Sequence, residues 1–186
     1  MMHNTPFRLR QTGQILSQGG VIAYPTEAVF GLGCDPLDAI AVERILTLKQ
    51  RDWRKGLILL AANLEQLHPW ISLSPEKLAK ISAHWPGPAT WVVPASQSTP
   101  DWITGGRDEV AVRVTAHPVA AAIAQAAHTA IVSTSANPAQ RPPARSVLAV
   151  RRYFDDQLDE ILTGPVDTQA QPTPIRHWRT GDWLRR

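Results

Sequence analysis

Val21-Ile22-Ala23-Tyr24-Pro25-Thr26-Glu27-Ala28-Val29-Phe30-Gly31-Leu32-Gly33 begins as an apolar run, stops at a proline, exposes a hydroxyl and ends across two glycines. Val21–Tyr24 has the length and β-branched content of a buried strand. The glycines permit either a close backbone approach or positive φ. Read alone, the stretch also fits a plain strand and turn in which Thr26 satisfies its local backbone. A helix is expected on its N-terminal side: Thr5-Pro6 supplies an N-cap with proline at the first helical position, and Gly19-Gly20 closes the segment from Phe7 to about Ser17.

Beyond the glycines the same alternation of strand and helix continues. Asp38 caps an expected helix through Ile40, Ile45 and Leu48, and Leu57–Ala61 reads as a strand. Asn63 with Gln66 resembles a capping box. Ser74-Pro75-Glu76 starts a helix expected to end near Trp85. Thr90–Val93, Val110–Val114 and Ala130–Ser133 read as strands, and Pro118–Ala127 and Ser146–Phe154 as helices. Glu160–Leu162 and the residues around Ile175 are shorter strand candidates. No repeat or long linker interrupts the pattern, and 165–174 is its loosest stretch. Strands mixed with helices predict an α/β fold with at least a partly parallel sheet.

The chain has 186 residues, 44% of them apolar and 19% charged, which suits one globular domain with a sizeable core. No apolar run approaches the length of a membrane span. Met1-Met2-His3-Asn4 shows no basic segment leading into an apolar one, so no secretory signal is expected. Cys34 is the only cysteine. An internal disulfide is thereby excluded, in keeping with a cytoplasmic setting. The net charge of +3 is compatible with a polyanionic partner without requiring one. The seven tryptophans are scattered along the chain, against a single stacking platform.

Three further segments set polar residues tightly against buried-looking strands, where α/β sheets bind ligands. Lys49-Gln50-Arg51, with Arg54 and Lys55 behind, gathers cations suited to phosphate or carboxylate; a solvated helix end would also favour them. Arg113 inside Val110–Val114 needs an anion if buried, or belongs on the solvated face of an edge strand. Ser133-Thr134-Ser135-Ala136-Asn137 offers repeated hydroxyls and an amide at a strand end, for a polar ligand or for a local turn. Walker and Rossmann glycine fingerprints are absent, and the histidines show no metal-ligand spacing. His117 before Pro118 reads as a turn residue, Asp155-Asp156 as a solvated helix end and Arg151-Arg152 as surface charge.

Taken together and in order, Tyr24–Gly33, Lys49-Gln50-Arg51, Lys55–Leu59, Trp85-Pro86-Gly87-Pro88-Ala89-Thr90, Val110–Val114 and Ser133–Asn137 resemble the YrdC family of threonylcarbamoyl-AMP synthases. The similarity runs from about Val21 to Arg176 and is nearest to the short bacterial type. The resemblance implies one YrdC-like domain over residues 1–186. Its fold would be α/β, a twisted, mostly open mixed sheet flanked by helices with a concave basic cavity.

The implied reaction joins L-threonine and bicarbonate as a carbamate that attacks the α-phosphate of ATP, releasing pyrophosphate. By the same resemblance Lys49 and Arg51 are catalytic and hold ATP, with Ser135, Asn137, Ser146 and Arg176 also facing the nucleotide. Thr26, Arg113 and Ser133 would cradle threonine. Mg²⁺ would be held mainly by the ATP phosphates, with no protein metal site. Partner proteins would then carry the threonylcarbamoyl group to tRNA, and contact with tRNA itself is allowed. Asp52 stands where the family usually has proline, and 168–176 lacks its usual glycine pair. Two other readings stand beside this one: a non-catalytic tRNA- or rRNA-binding module using the same cavity, and a carbamoyl-handling relative with another acceptor.

Overall fold

Thr5 caps the first helix, α1 (Pro6–Ser17), by accepting a hydrogen bond from the Arg8 amide, and Pro6 occupies its first turn. The computed structural model describes residues 5–171 and 173–185; the leader-free reading of residues 1–4 falls outside them. The strands are β1 (Ile22–Pro25), β2 (Phe30–Gly33), β3 (Ile58–Ala61), β4 (Thr90–Pro94), β5 (Glu109–Val114), β6 (Ile131–Ser135), β7 (Glu160–Ile161), β8 (Ile175–His177) and β9 (Trp183–Arg185). The remaining helices are α2 (Ala39–Lys49), α3 (Pro75–Ser82), α4 (Asp101–Thr104), α5 (Pro118–Ala126) and α6 (Val147–Phe154).

All nine strands form one mixed sheet in the order β7-β1-β2-β6-β3-β5-β4-β8-β9. β1 runs parallel to β7, β3 to β5 and β4 to β8, while the other neighbours are antiparallel. Strand alternation sends successive side chains to opposite faces. Val21, Ala23, Leu59, Val110, Val112, Val114 and Val132 project to one face, where Ile45 of α2 and Phe154 of α6 complete a large core. Ile22, Tyr24, Leu60 and Ile131 project to the other, where Leu16 of α1 and the alanine-rich side of α5 cover them. α1 approaches α5 so closely that a Cβ at Gly13 would sit 2.4 Å from the Ala126 carbonyl oxygen, so glycine is needed there for contact rather than for dihedral freedom.

This second layer is short. α1 and α5 pack on each other, α5 reaches β1 and β3, and no residue of β5, β4 or β8 belongs to this smaller core. The uncovered face becomes a cavity.

At Phe30–Gly33 the close-approach reading of the glycines holds: neither Gly31 nor Gly33 has a positive φ, and they pair with β1 and, through Gly31, with β6. Differences from the sequence expectation lie elsewhere. α3 ends at Ser82, before Trp85 and Pro86; the residue ahead of a proline is disfavoured in the helical region. β9 is a three-residue exposed edge strand beyond a turn at Gly181, too short and too polar in its surroundings to signal itself. The expected Asn63–Gln66 box forms only in part: Asn63 Oδ1 accepts from the Gln66 amide, but Gln66 Oε1 accepts from the Ala62 amide rather than from that of Asn63. No helix among the described residues is long and apolar enough to cross a membrane.

Candidate functional site

The cavity, about 510 Å³, opens over the sheet face that α1 and α5 leave uncovered. Alternation selects its floor: Ile58 and Leu60 of β3, Ala111 and Arg113 of β5, Thr90 and Val92 of β4, Ser133 and Ser135 of β6, and Ile175 of β8. Its lining carries five cations, Arg51, Lys55, Arg107, Arg113 and Arg185, against one carboxylate, Glu109.

Arg113 lies on a central strand, flanked by β3 and β5's other neighbour β4, and is 6% exposed, so the edge-strand alternative does not hold. The anion it requires is Glu27, from the turn after β1: Arg113 Nη2 donates to Glu27 Oε2 and, at 3.3 Å, to Thr115 Oγ1. Arg113 Nη1 donates to the Thr173 hydroxyl. Thr115 in turn donates to Glu27 Oε1 at 2.8 Å. Burial pushes the Glu27 carboxyl up, but the Arg113 charge, a backbone amide and the Thr115 hydroxyl outweigh it and leave the group below the usual carboxylate range. Thr26 donates its hydroxyl to the Val29 carbonyl at 2.6 Å, which leaves the oxygen free to accept from the cavity side.

Lys49 and Arg51 separate at the end of α2. Gln50 adopts the left-handed conformation and closes the helix, so the two cations point different ways. Lys49 turns inward and is 4% exposed. Its ammonium donates to the Ser135 carbonyl, to the Asn137 carbonyl at 2.9 Å and to Asn137 Oδ1 at 3.4 Å. Burial, then the neighbouring Arg51, bring its pKa down to about 8. Lys49 therefore sits behind the cavity wall, under the turn that follows β6. Arg51 turns into the cavity; Nη2 donates to the Gly56 carbonyl at 3.0 Å, and Nε is buried without a partner. Loss of water around Arg51 and the nearby Arg107 both disfavour its charge. Arg185, on β9, is subject to the same loss and to repulsion from Arg113 and Arg51.

The candidates drawn from the sequence thus divide. Thr26, Arg51, Arg113, Ser133 and Ser135 line one cavity. Lys49 and Asn137 meet each other immediately behind it, where Asn137 Nδ2 also donates to the Pro138 and Arg141 carbonyls. Ser146 lies apart, capping α6 through the Ala149 amide. Arg176 does not line the cavity; its guanidinium stacks 3.7 Å from the Trp183 ring centroid and also faces Trp91. Asp52 points outward, where it caps the 3-10 turn Trp53–Lys55 and pairs with Arg54. Sequence reading missed Arg107, Arg185 and the carboxylate partner of Arg113. The last had a signal: a buried strand arginine demands an anion, and Glu27 stands beside Thr26 in the opening stretch. No cluster of three or more His, Cys, Asp or Glu able to hold a metal occurs among the described residues.

One end of a mixed α/β sheet thus gathers guanidinium groups from distant segments around a few hydroxyls. The chain belongs to the Sua5/YciO/YrdC family, described as telomere recombination, whose model matches residues 14–186. A threonylcarbamoyl-AMP synthase of Halorhodospira halophila is 57% identical over 182 residues, covering 97% of this chain and 95% of that protein. One of Alkalilimnicola ehrlichii is 56% identical over 182 residues, 96% of this chain and 95% of that protein. Among solved structures, P. abyssi Sua5 complexed with L-threonine matches with a TM-score of 0.86 at 33% identity. That match covers 92% of this chain and 51% of the other, so this chain spans about half the length of that protein.

Proposed function

We propose that this chain is a threonylcarbamoyl-AMP synthase, forming L-threonylcarbamoyladenylate, pyrophosphate and water from L-threonine, bicarbonate and ATP for the modification of tRNA. The observation that carries the reading is the convergence of Arg51, Arg113 and Arg185, from three distant segments, in a cavity with one lining carboxylate. Like charges held together without enough counter-charge favour an anionic ligand. Relatives 57% and 56% identical over nearly their full length bear this activity's name, and a 33% identical structure contains threonine.

The chemistry asks for electrostatics more than for a nucleophile. A carbamate oxygen, itself anionic, attacks the α-phosphorus of ATP, the bond to the bridging oxygen breaks, and pyrophosphate leaves with the bond's electron pair. The reaction is a nucleotidyl transfer. Arg51, Lys55 and Arg185 are placed to neutralise phosphates, and fixed cations in a partly dry site stabilise charge that builds in the transition state. Arg113, kept in place by Glu27 and Thr173, faces the amino acid with the hydroxyls of Thr26 and Ser133. Lys49 serves from behind, holding the Ser135–Asn137 turn. Mg²⁺ is expected to enter as the counter-ion of the ATP phosphates. An RNA-binding module without chemistry would use the same cavity, but the names of the relatives do not favour it.

The test is pyrophosphate release from ATP, Mg²⁺ and bicarbonate with and without L-threonine, and with L-serine in its place. Release that depends on threonine and saturates with it is expected. Absence of any threonine-dependent release would overturn the reading.

A further inference from the structure

The segment 163–168 crosses the turn that carries Thr26 and Glu27, and His117 fastens it. Gly164 packs against Pro25 and Val119 so tightly that a Cβ there would lie 2.8 Å from Pro25 Cγ. The Asp167 amide donates to the Glu27 carbonyl at 2.8 Å. His117, 8% exposed at the N-cap of α5, has its Nε2 3.0 Å from the Pro165 carbonyl oxygen. Its Nδ1 accepts from the Ala120 amide at 3.4 Å. A carbonyl only accepts, and a capping nitrogen must accept, so in this pair of hydrogen bonds Nε2 donates and Nδ1 accepts.

The same residue also reaches Glu27 from the other side. The His117 amide donates to Thr115 Oγ1 at 3.1 Å, and Thr115 donates to Glu27 Oε1. His117 therefore closes a ring of hydrogen bonds around Glu27: backbone to Thr115 to the carboxylate, and imidazole to Pro165, along the strap to Asp167, to the Glu27 carbonyl. Glu27 is the carboxylate that holds Arg113.

We propose that His117 is a positioning residue: its hydrogen bond to Pro165 clamps the Glu27 turn from above and thereby sets the Arg113 guanidinium for the amino-acid substrate. The proposal rests on the functional reading above. It predicts that the two nitrogens of His117 have separable effects, because the cap uses Nδ1 and the clamp uses Nε2.

Two variants divide them. In His117→Asn, Oδ1 takes the place of Nδ1 and keeps the cap, but nothing reaches Pro165. In His117→Gln, the longer amide donates where Nε2 did and the cap is lost. Melting temperature and equilibrium affinities for L-threonine and for a non-hydrolysable ATP analogue are measured on all three proteins. His117→Asn keeps the cap but orphans the Pro165 carbonyl, so it is expected to melt modestly below wild type, bind the ATP analogue as wild type does and bind threonine about fivefold more weakly, the size one lost hydrogen bond supports. His117→Gln is expected to melt lower yet recover threonine affinity. Threonine affinity that follows melting temperature across the set, or unchanged threonine affinity in a folded His117→Asn, overturns the proposal while leaving the functional reading intact. A wild-type protein that takes up no threonine ends that reading and this one with it.

Discussion

Lys49→Ala separates two roles for the lysine at the end of α2. If the side chain works from behind the cavity wall, as its hydrogen bonds indicate, truncation is first a stability event. It removes three buried methylenes, about 2 kcal/mol of transfer free energy. It leaves the Ser135 and Asn137 carbonyls without their shared donor, about 1–3 kcal/mol each. Against this, it relieves the burial of an ammonium whose pKa falls from 10.5 to about 8, roughly 3 kcal/mol. The net is a destabilisation of about 3 kcal/mol, a large part of the roughly 5–15 kcal/mol typical of a domain. Urea unfolding followed by tryptophan fluorescence reads it directly. The wild type carries a second signature. The folded lysine sheds its proton before the unfolded one, so wild-type stability gains from this group as pH rises from about 8 towards 10.5, and Lys49→Ala lacks that gain. A variant within 1 kcal/mol of wild type that nonetheless releases no pyrophosphate would refute this account and put Lys49 on the phosphates themselves.

Two further outcomes follow from the same geometry. Glu27→Gln should lose about 3 kcal/mol at pH 7, since it breaks a buried ion pair from one side; an unchanged melting temperature would count against the pairing. The Glu27 pKa is depressed in the folded state, so its contribution is fully present above about 4.5 and disappears as pH falls through the folded value; the variant's acid limb should be correspondingly flatter. Gly33→Ala should be distinctly less stable than Gly31→Ala, by about 1–3 kcal/mol. A Cβ at Gly33 meets the Val132 carbonyl at 2.7 Å and the Tyr24 ring at 2.8 Å, whereas at Gly31 the nearest atom is 3.3 Å away. Equal melting temperatures for the two would show that β2 moves to make room.

Much of the fold could be read from residue order because it is written in local chemistry. Thr5-Pro6 and Asp38 cap helices where capping residues were expected, and Val21–Tyr24, Leu57–Ala61 and Val110–Val114 are strands because β-branched and apolar residues suit a covered sheet. Phe30–Gly33 marks the limit of local reading. Its two glycines allowed either a close approach or a positive φ, and only the tertiary structure chose the approach, of β6 and the Tyr24 ring.

For the site, residue order determined which side chains had unusual demands: an arginine in an apolar strand, cations ahead of a strand, hydroxyls at a strand end. Only the tertiary structure decided how the demands are met. Strand position buried Arg113 beside Glu27, and the left-handed Gln50 parted Lys49 from Arg51. β9, joined to the sheet through β8, brought Arg185 alongside Arg113 and Arg51. The physical reason is range. Capping and alternation act over a few residues, whereas burial and charge act through space and couple groups that lie 86 residues apart, as Arg113 and Glu27 do.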